Sequence, residues 1–81
     1  MWVRPRDYKV VGSSLGAVRR SVGITQKELA RRLRKPQSFV SDYERGQRRV
    51  DLIEFLLIVG ALKVDPQTVF ADIVAAHFRG R

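Results

Sequence analysis

Residues 23–46 read GITQKELARRLRKPQSFVSDYERG, and the polar side chains in the second half of this stretch suit hydrogen bonding better than catalysis. Gln37 and Ser38 are followed one turn later by Ser41 and Asp42, a spacing that puts all four on one side of a helix. A glutamine amide can pair bidentately with the N6 and N7 of adenine, and a carboxylate can accept from cytosine N4. Lys35, Arg45, Arg48 and Arg49 bracket the four, as cations that meet phosphates do; such contacts fix register without carrying sequence information. Asp42 has two readings of equal standing, contact with a base or pairing with Arg45 or Arg49. Arg31 and Arg32 read equally well as phosphate ligands and as solvated side chains. Other chemistry is poorly supplied. The chain has no cysteine and a single histidine, His77, so no zinc centre can be built, and no metal or other cofactor is expected. Serines without a base, and the lack of a paired acid and base or a phosphate loop, argue against an enzyme.

Two short helices must position these groups. Thr25 followed by Glu28 is a capping box that opens a helix at Gln26, and Leu29, Ala30 and Leu33 give it an apolar face. Pro36 fits the first turn of the next helix, where Phe39, Val40 and Tyr43 form the buried stripe, and Gly46 suits the left-handed residue that ends it. The spacing therefore predicts helices over 26–33 and about 36–45 with a tight turn between them, a helix-turn-helix. In that geometry the N-terminal residues of the second helix enter the major groove, so Gln37 and Ser38 lead.

Three more helices complete an all-α, five-helix chain. Val11, Leu15, Val18 and Val22 predict a helix from about residue 7 or 8 to 22, weakened by Gly12, Ser13, Ser14 and Gly16. Asp51 and Glu54 cap a fourth helix through Leu62, and Asp65 with Pro66 opens a fifth that reaches His77 or Phe78. The expected organisation is a flexible basic arm over 1–6, one domain over 7–78 and a loose tail over 79–81. Net charge is +8, carried as +4 on residues 1–24, +5 on 25–49 and −1 on 50–81. Positive charge thus gathers on and before the two-helix unit, as when one face meets phosphates and the other meets protein. No apolar run has the length of a membrane span and the N-terminus lacks a signal-peptide core, so a cytoplasmic protein is expected.

ITQKELA, QSFVSDYERG and ALKVDPQTVF together resemble the lambda repressor and Cro-like helix-turn-helix proteins, the XRE family, over about residues 15–70. The resemblance implies a compact five-helix DNA-binding domain and places Gln37 at the family's principal base-reading position. It further implies that Gln26 bonds a backbone phosphate and braces Gln37, that Ala30 allows close helix approach, and that Val40 and Tyr43 are buried. Arg19 and Glu44 match an internal salt bridge between the first and third helices. Phe39 reads as core, or as a partly exposed ring against a thymine methyl. Two positions depart from the pattern. Arg34 stands where the turn usually has Gly, implying a left-handed residue strained by about 1 kcal/mol or a different turn, and Pro36 replaces the usual Ser or Thr cap.

The fourth helix is apolar on most sides. Leu52, Phe55, Leu56, Val59 and Leu62 read as its core stripe, yet Ile53, Leu57 and Gly60 form a second line. With Val74, His77 and Phe78 this line reads as a twofold dimer interface, the other reading being a thicker monomer core. The arm, with Trp2, Arg4 and Arg6, reads as a minor-groove ligand, a disordered tail, or Trp2 packed on the domain. The expected function is a bacterial or phage-type regulator, most simply an autorepressor, that binds a palindromic operator in double-stranded DNA as a homodimer. An antitoxin with a protein partner, an activator and a protein-interaction module are the alternatives.

Overall fold

A computed structural model describes residues 2–79, which form α1 (Pro5–Ser21), α2 (Gln26–Leu33), α3 (Gln37–Glu44), α4 (Leu52–Leu62) and α5 (Pro66–Arg79). No strand occurs among the described residues. Of the expected loose ends, Met1, Gly80 and Arg81 lie outside them, whereas Arg79, expected in the tail, is the last residue of α5.

α1 begins at Pro5, two or three residues before the expected start at 7 or 8. Pro5 brings a helical φ at no hydrogen-bond cost, and the Asp7 carboxylate accepts from the Arg4 N–H at 2.9 Å. Pro5 and Arg6, expected in the arm, are therefore helical. α2 has the expected bounds, but its capping box is one-sided. Thr25 Oγ1 accepts from the Glu28 N–H at 3.0 Å, while the Glu28 carboxylate turns to Arg31 and Arg32. At α4 the box is reciprocal, with Asp51 and Glu54 each accepting from the other's backbone. Arg34 adopts φ 57, ψ 44, the strained left-handed alternative, and Lys63 repeats it after α4 at φ 58. Pro36 lies just outside α3 as its extended N-cap, with no side-chain cap.

The core gathers Leu15 of α1, Leu29 and Ala30 of α2, Val40 and Tyr43 of α3, Phe55, Ile58, Val59 and Leu62 of α4, and Val69 and Ile73 of α5. α1 packs on α3 and α5, and α2 on α3 and α4. Gly12 is what lets α1 close on the end of α3, since a Cβ there would stand 1.7 Å from the Tyr43 carbonyl oxygen. This residue weakens the helix locally and is required by its packing.

The α4 stripe differs from the expectation. Leu52 and Leu56 are exposed, whereas Ile58 is buried. At about 100° per residue, Phe55, Ile58, Val59 and Leu62 share one sector, and Leu56 is rotated out of it. Ile53, Leu56, Leu57 and Gly60 face outward, and Leu52, near the edge of the buried sector, is exposed at the first turn of the helix.

Candidate nucleic-acid interface

α3 is seated by Val40 and Tyr43, which leaves its first turn facing outward with Gln37 and Ser38 exposed. One turn on, Ser41 is half-buried and its hydroxyl donates to the Ser38 carbonyl at 3.3 Å. Asp42 pairs with Arg45 at 2.8 Å, one of the two partners considered for it. Phe39 is half-buried, edge-on to Tyr43 at 5.6 Å between centroids.

Behind this face lies a continuous polar chain. Arg19 Nε meets Glu44 Oε2 at 2.7 Å and Nη2 meets Oε1 at 3.1 Å, with both side chains less than a tenth exposed. The third arginine nitrogen, Nη1, donates to the Ile24 carbonyl at 2.7 Å, tying the entry of α2 to the same pair. Donating these hydrogen bonds to the Glu44 carboxylate holds Arg19 above the ordinary guanidinium range, against the opposing effect of burial. Gly16 leaves room for the carboxylate, since a Cβ there would come within 3.1 Å of it. Gln26 Nε2 also donates to Glu44 Oε1, at 2.9 Å, and Gln26 Oε1 receives Gln37 Nε2 at 3.4 Å. Arg19, Glu44, Gln26 and Gln37 thus form one connected line from the interior to the surface. Tyr43, buried beside it, has a hydroxyl without a hydrogen-bond partner among the described residues.

The cations around α3 are not equivalent. Lys35 is exposed, 5.7 Å from the centroid of the Phe39 ring. Arg45 is exposed but shared with Asp42. Arg49 lies over the Tyr8 ring at 4.5 Å and donates to its hydroxyl, which holds it to α1. Arg48 is the most committed. It chelates Glu54 at 3.0 and 2.6 Å, donates to the Arg49 carbonyl at 2.6 Å, and covers the Phe39 ring at 4.6 Å. Grouped among the phosphate clamps on sequence, it is built here as a strut between the loop after α3, the Phe39 ring and α4. The Arg48 hydrogen bonds, with the Asp51 backbone second, hold Glu54 below the usual carboxylate range. Arg31 and Arg32 clamp Glu28, whose carboxyl is pushed down to about 2 by them, and Arg32 also donates to the Ala61 carbonyl at 2.8 Å.

The remaining predicted residues divide between two helices. Ile53 and Leu57 lie on the open side of α4 at 64 % and 60 % exposure, and Gly60 has open space above it. Val74 and Phe78 are exposed on α5, while His77 turns back to α1, its Nδ1 3.6 Å from an Asp7 oxygen. Trp2 is 83 % exposed, so it does not pack on the domain. Tyr8 and Glu54 were not anticipated as partners of Arg49 and Arg48. The Asp51–Glu54 cap was a usable signal for the second; nothing local links Tyr8 to a residue 41 positions away. No cluster of metal-binding side chains and no helix long and apolar enough to cross a membrane occurs among the described residues.

Residues 15–69 match the protein-family description Helix-turn-helix. An uncharacterised HTH-type transcriptional regulator of Sinorhizobium fredii is 38% identical over 56 residues, which cover 69% of this chain and 73% of that protein. Among solved structures, an XRE-family like protein from Pseudomonas syringae pv. tomato superposes with a TM-score of 0.75 at 41% identity, over 86% of this chain and 85% of that one. The restriction-modification controller protein C.AhdI from Aeromonas hydrophila does so with a TM-score of 0.72 at 34% identity, over 80% of this chain and 98% of that one. The clp gene regulator ClgR of Corynebacterium glutamicum, at 24% identity and a TM-score of 0.81 over 86% and 91% of the two chains, shares the fold. The exposed first turn of α3, the turn before it and these matches agree: the chain belongs to the XRE family of lambda repressor and Cro-like helix-turn-helix proteins, which are DNA-binding transcription regulators.

Proposed function

We propose that the chain is a repressor that binds a partly palindromic operator as a homodimer, with α3 of each copy in the major groove. Gln37 and Ser38 read bases, Ser41 and Asp42 flank them, and Gln26, Lys35, Arg45 and Arg49 anchor phosphates. The observation that carries the reading is the exposed first turn of α3, whose leading glutamine is braced from behind by Gln26. Phosphate contacts set the register of that turn, and the amide supplies the discrimination.

Support for a second copy comes from the outward sector of α4. Leu52, Ile53, Leu56 and Leu57 are all exposed and apolar, Leu52 lies across a shallow cleft from Phe70 of α5, and Gly60 permits close approach. Two copies joined there present their recognition helices to successive major grooves, about 34 to 36 Å apart. Repression then follows from occupying a promoter against polymerase.

Selection of bound sequences from a random duplex pool tests the whole reading. An inverted repeat centred about one helical turn apart is expected; a lone half-site would remove the dimer, and no enrichment would remove sequence-specific binding. Sedimentation at micromolar concentration should show a dimer that Leu57→Glu dissociates without unfolding, because Leu57 touches solvent in the single chain. A wild-type monomer would end the interface proposal.

A further inference from the structure

We propose that Glu44, without touching DNA, sets which edge of the Gln37 amide faces the groove, and so biases the protein toward adenine over guanine. The inference rests on Gln37 being a base reader. Glu44 is an acceptor only, and its nearly buried carboxylate is fixed from one side by Arg19 at 2.7 and 3.1 Å. The group that Gln26 turns toward it must therefore be the amide NH2, as found at 2.9 Å. With that end committed, the Gln26 carbonyl oxygen points the other way, toward Gln37, and only a donor can meet it. Gln37 answers with Nε2, at 3.4 Å.

The consequence is a defined polarity at the surface. Gln37 keeps its carbonyl oxygen and its second N–H for the DNA, an acceptor beside a donor, which complements adenine N6 and N7. Reversing Gln26 would reverse the demand. Gln37 would then turn its carbonyl inward and offer two N–H groups outward, which complements guanine O6 and N7. The negative charge of Glu44 is what selects between the two amide orientations. Glu44 is thus a positioning residue, acting on specificity through Gln26.

The test measures binding of the full chain to four duplexes differing only at the base pair assigned to Gln37. Wild type should favour adenine over guanine by about tenfold. Glu44→Gln, which can accept or donate toward Gln26, should cut that ratio at least threefold, whatever its effect on overall affinity. Because Glu44→Gln also disturbs Arg19, a second variant decides the matter if the first does not fold. Gln26→Met keeps side-chain length and the Arg19–Glu44 pair, and should lower the adenine-to-guanine ratio in a chain that still folds cooperatively, the lost hydrogen bond to Glu44 lowering its melting temperature modestly. An equal loss on all four duplexes for Gln26→Met, or no change in the ratio, would overturn the relay. Gln37→Ala serves as the reference. If it leaves the base preference intact, Gln37 is not the reader and both ideas fall; if it flattens the preference while Gln26→Met does not, only the relay falls.

Discussion

The α2–α3 face and the outward face of α4 show two ways of using a surface. On the first, outward groups are polar and most are held by a second side chain: Gln37 by Gln26, Asp42 by Arg45, Arg48 by Glu54. On the second, Leu52, Ile53, Leu56 and Leu57 stand in solvent with nothing packed over them among the described residues. The polar face is arranged before any ligand arrives, so little ordering cost remains to be met on binding. The apolar face works by the opposite logic. Each of its large side chains contributes about 1.5 to 3 kcal/mol once fully buried, without demanding any particular geometry. Geometry at one face and area at the other is the division expected when sequence is read by one surface and copies are joined by another.

If preorganisation is what separates the faces, the greatest sensitivity lies in its foundation. Arg19→Met leaves Glu44 buried without its guanidinium and should cost about 3 to 5 kcal/mol, a large part of the stability of so small a domain. Urea unfolding measures it directly. A loss under 1 kcal/mol would mean that the pair is incidental and that α3 is positioned by apolar packing alone.

Gln37→Ala separates reading from folding. It should weaken the selected site by about 1 to 3 kcal/mol, relax preference at one base pair per half-site and leave unfolding unchanged. Equal losses on selected and random DNA would make Gln37 one more backbone contact and blur the distinction between the faces.

Arg48 and Arg49 are adjacent in sequence but differ in surroundings, so they sharpen the comparison within the polar face. Arg49→Ala should lower the slope of log affinity against log salt by about 1, as one phosphate contact is lost. Arg48→Ala should instead cost about 0.5 to 1 kcal/mol of stability, through the half-exposed Glu54 pair and the Phe39 stack, with the salt slope kept. The reverse outcome would return Arg48 to the phosphate ligands.

These two arginines also mark where sequence reading stops. α2 and the seating of α3 on Val40 and Tyr43 follow from caps and periodicity, which act within a few residues, while the left-handed Arg34 alternative follows from the resemblance to the family, whose turn usually has Gly there. The α4 stripe does not follow, because a helix apolar on nearly all sides has no phase to read, and its pattern does not separate the buried Ile58 from the exposed Leu52 and Leu56. Gly12 looked like a flaw because its partner, the Tyr43 carbonyl, is 31 positions away. Arg49 is opaque for the same reason, since its partner Tyr8 is 41 positions away, whereas the Glu54 partner of Arg48 sits in the cap of α4 only six positions on. Contacts made across the fold carry no local signature.

The smallest effect concerns Tyr43, where the polar chain meets the core. Its ring is fully buried, and its hydroxyl lacks a partner among the described residues. Burial, reinforced by the charge of Glu44, pushes the phenol above its ordinary value, Arg19 opposing. Because the folded state holds this proton after the unfolded state has released it, stability must fall as pH rises past about 10, the usual tyrosine value. Tyr43→Phe removes both the unpaired hydroxyl and the linkage. It should leave stability at neutral pH unchanged or raise it by up to about 1 kcal/mol, and flatten the alkaline limb of the stability profile. A clear loss at neutral pH would mean that the hydroxyl contributes to the Arg19–Glu44 line, extending the polar face one residue deeper into the core.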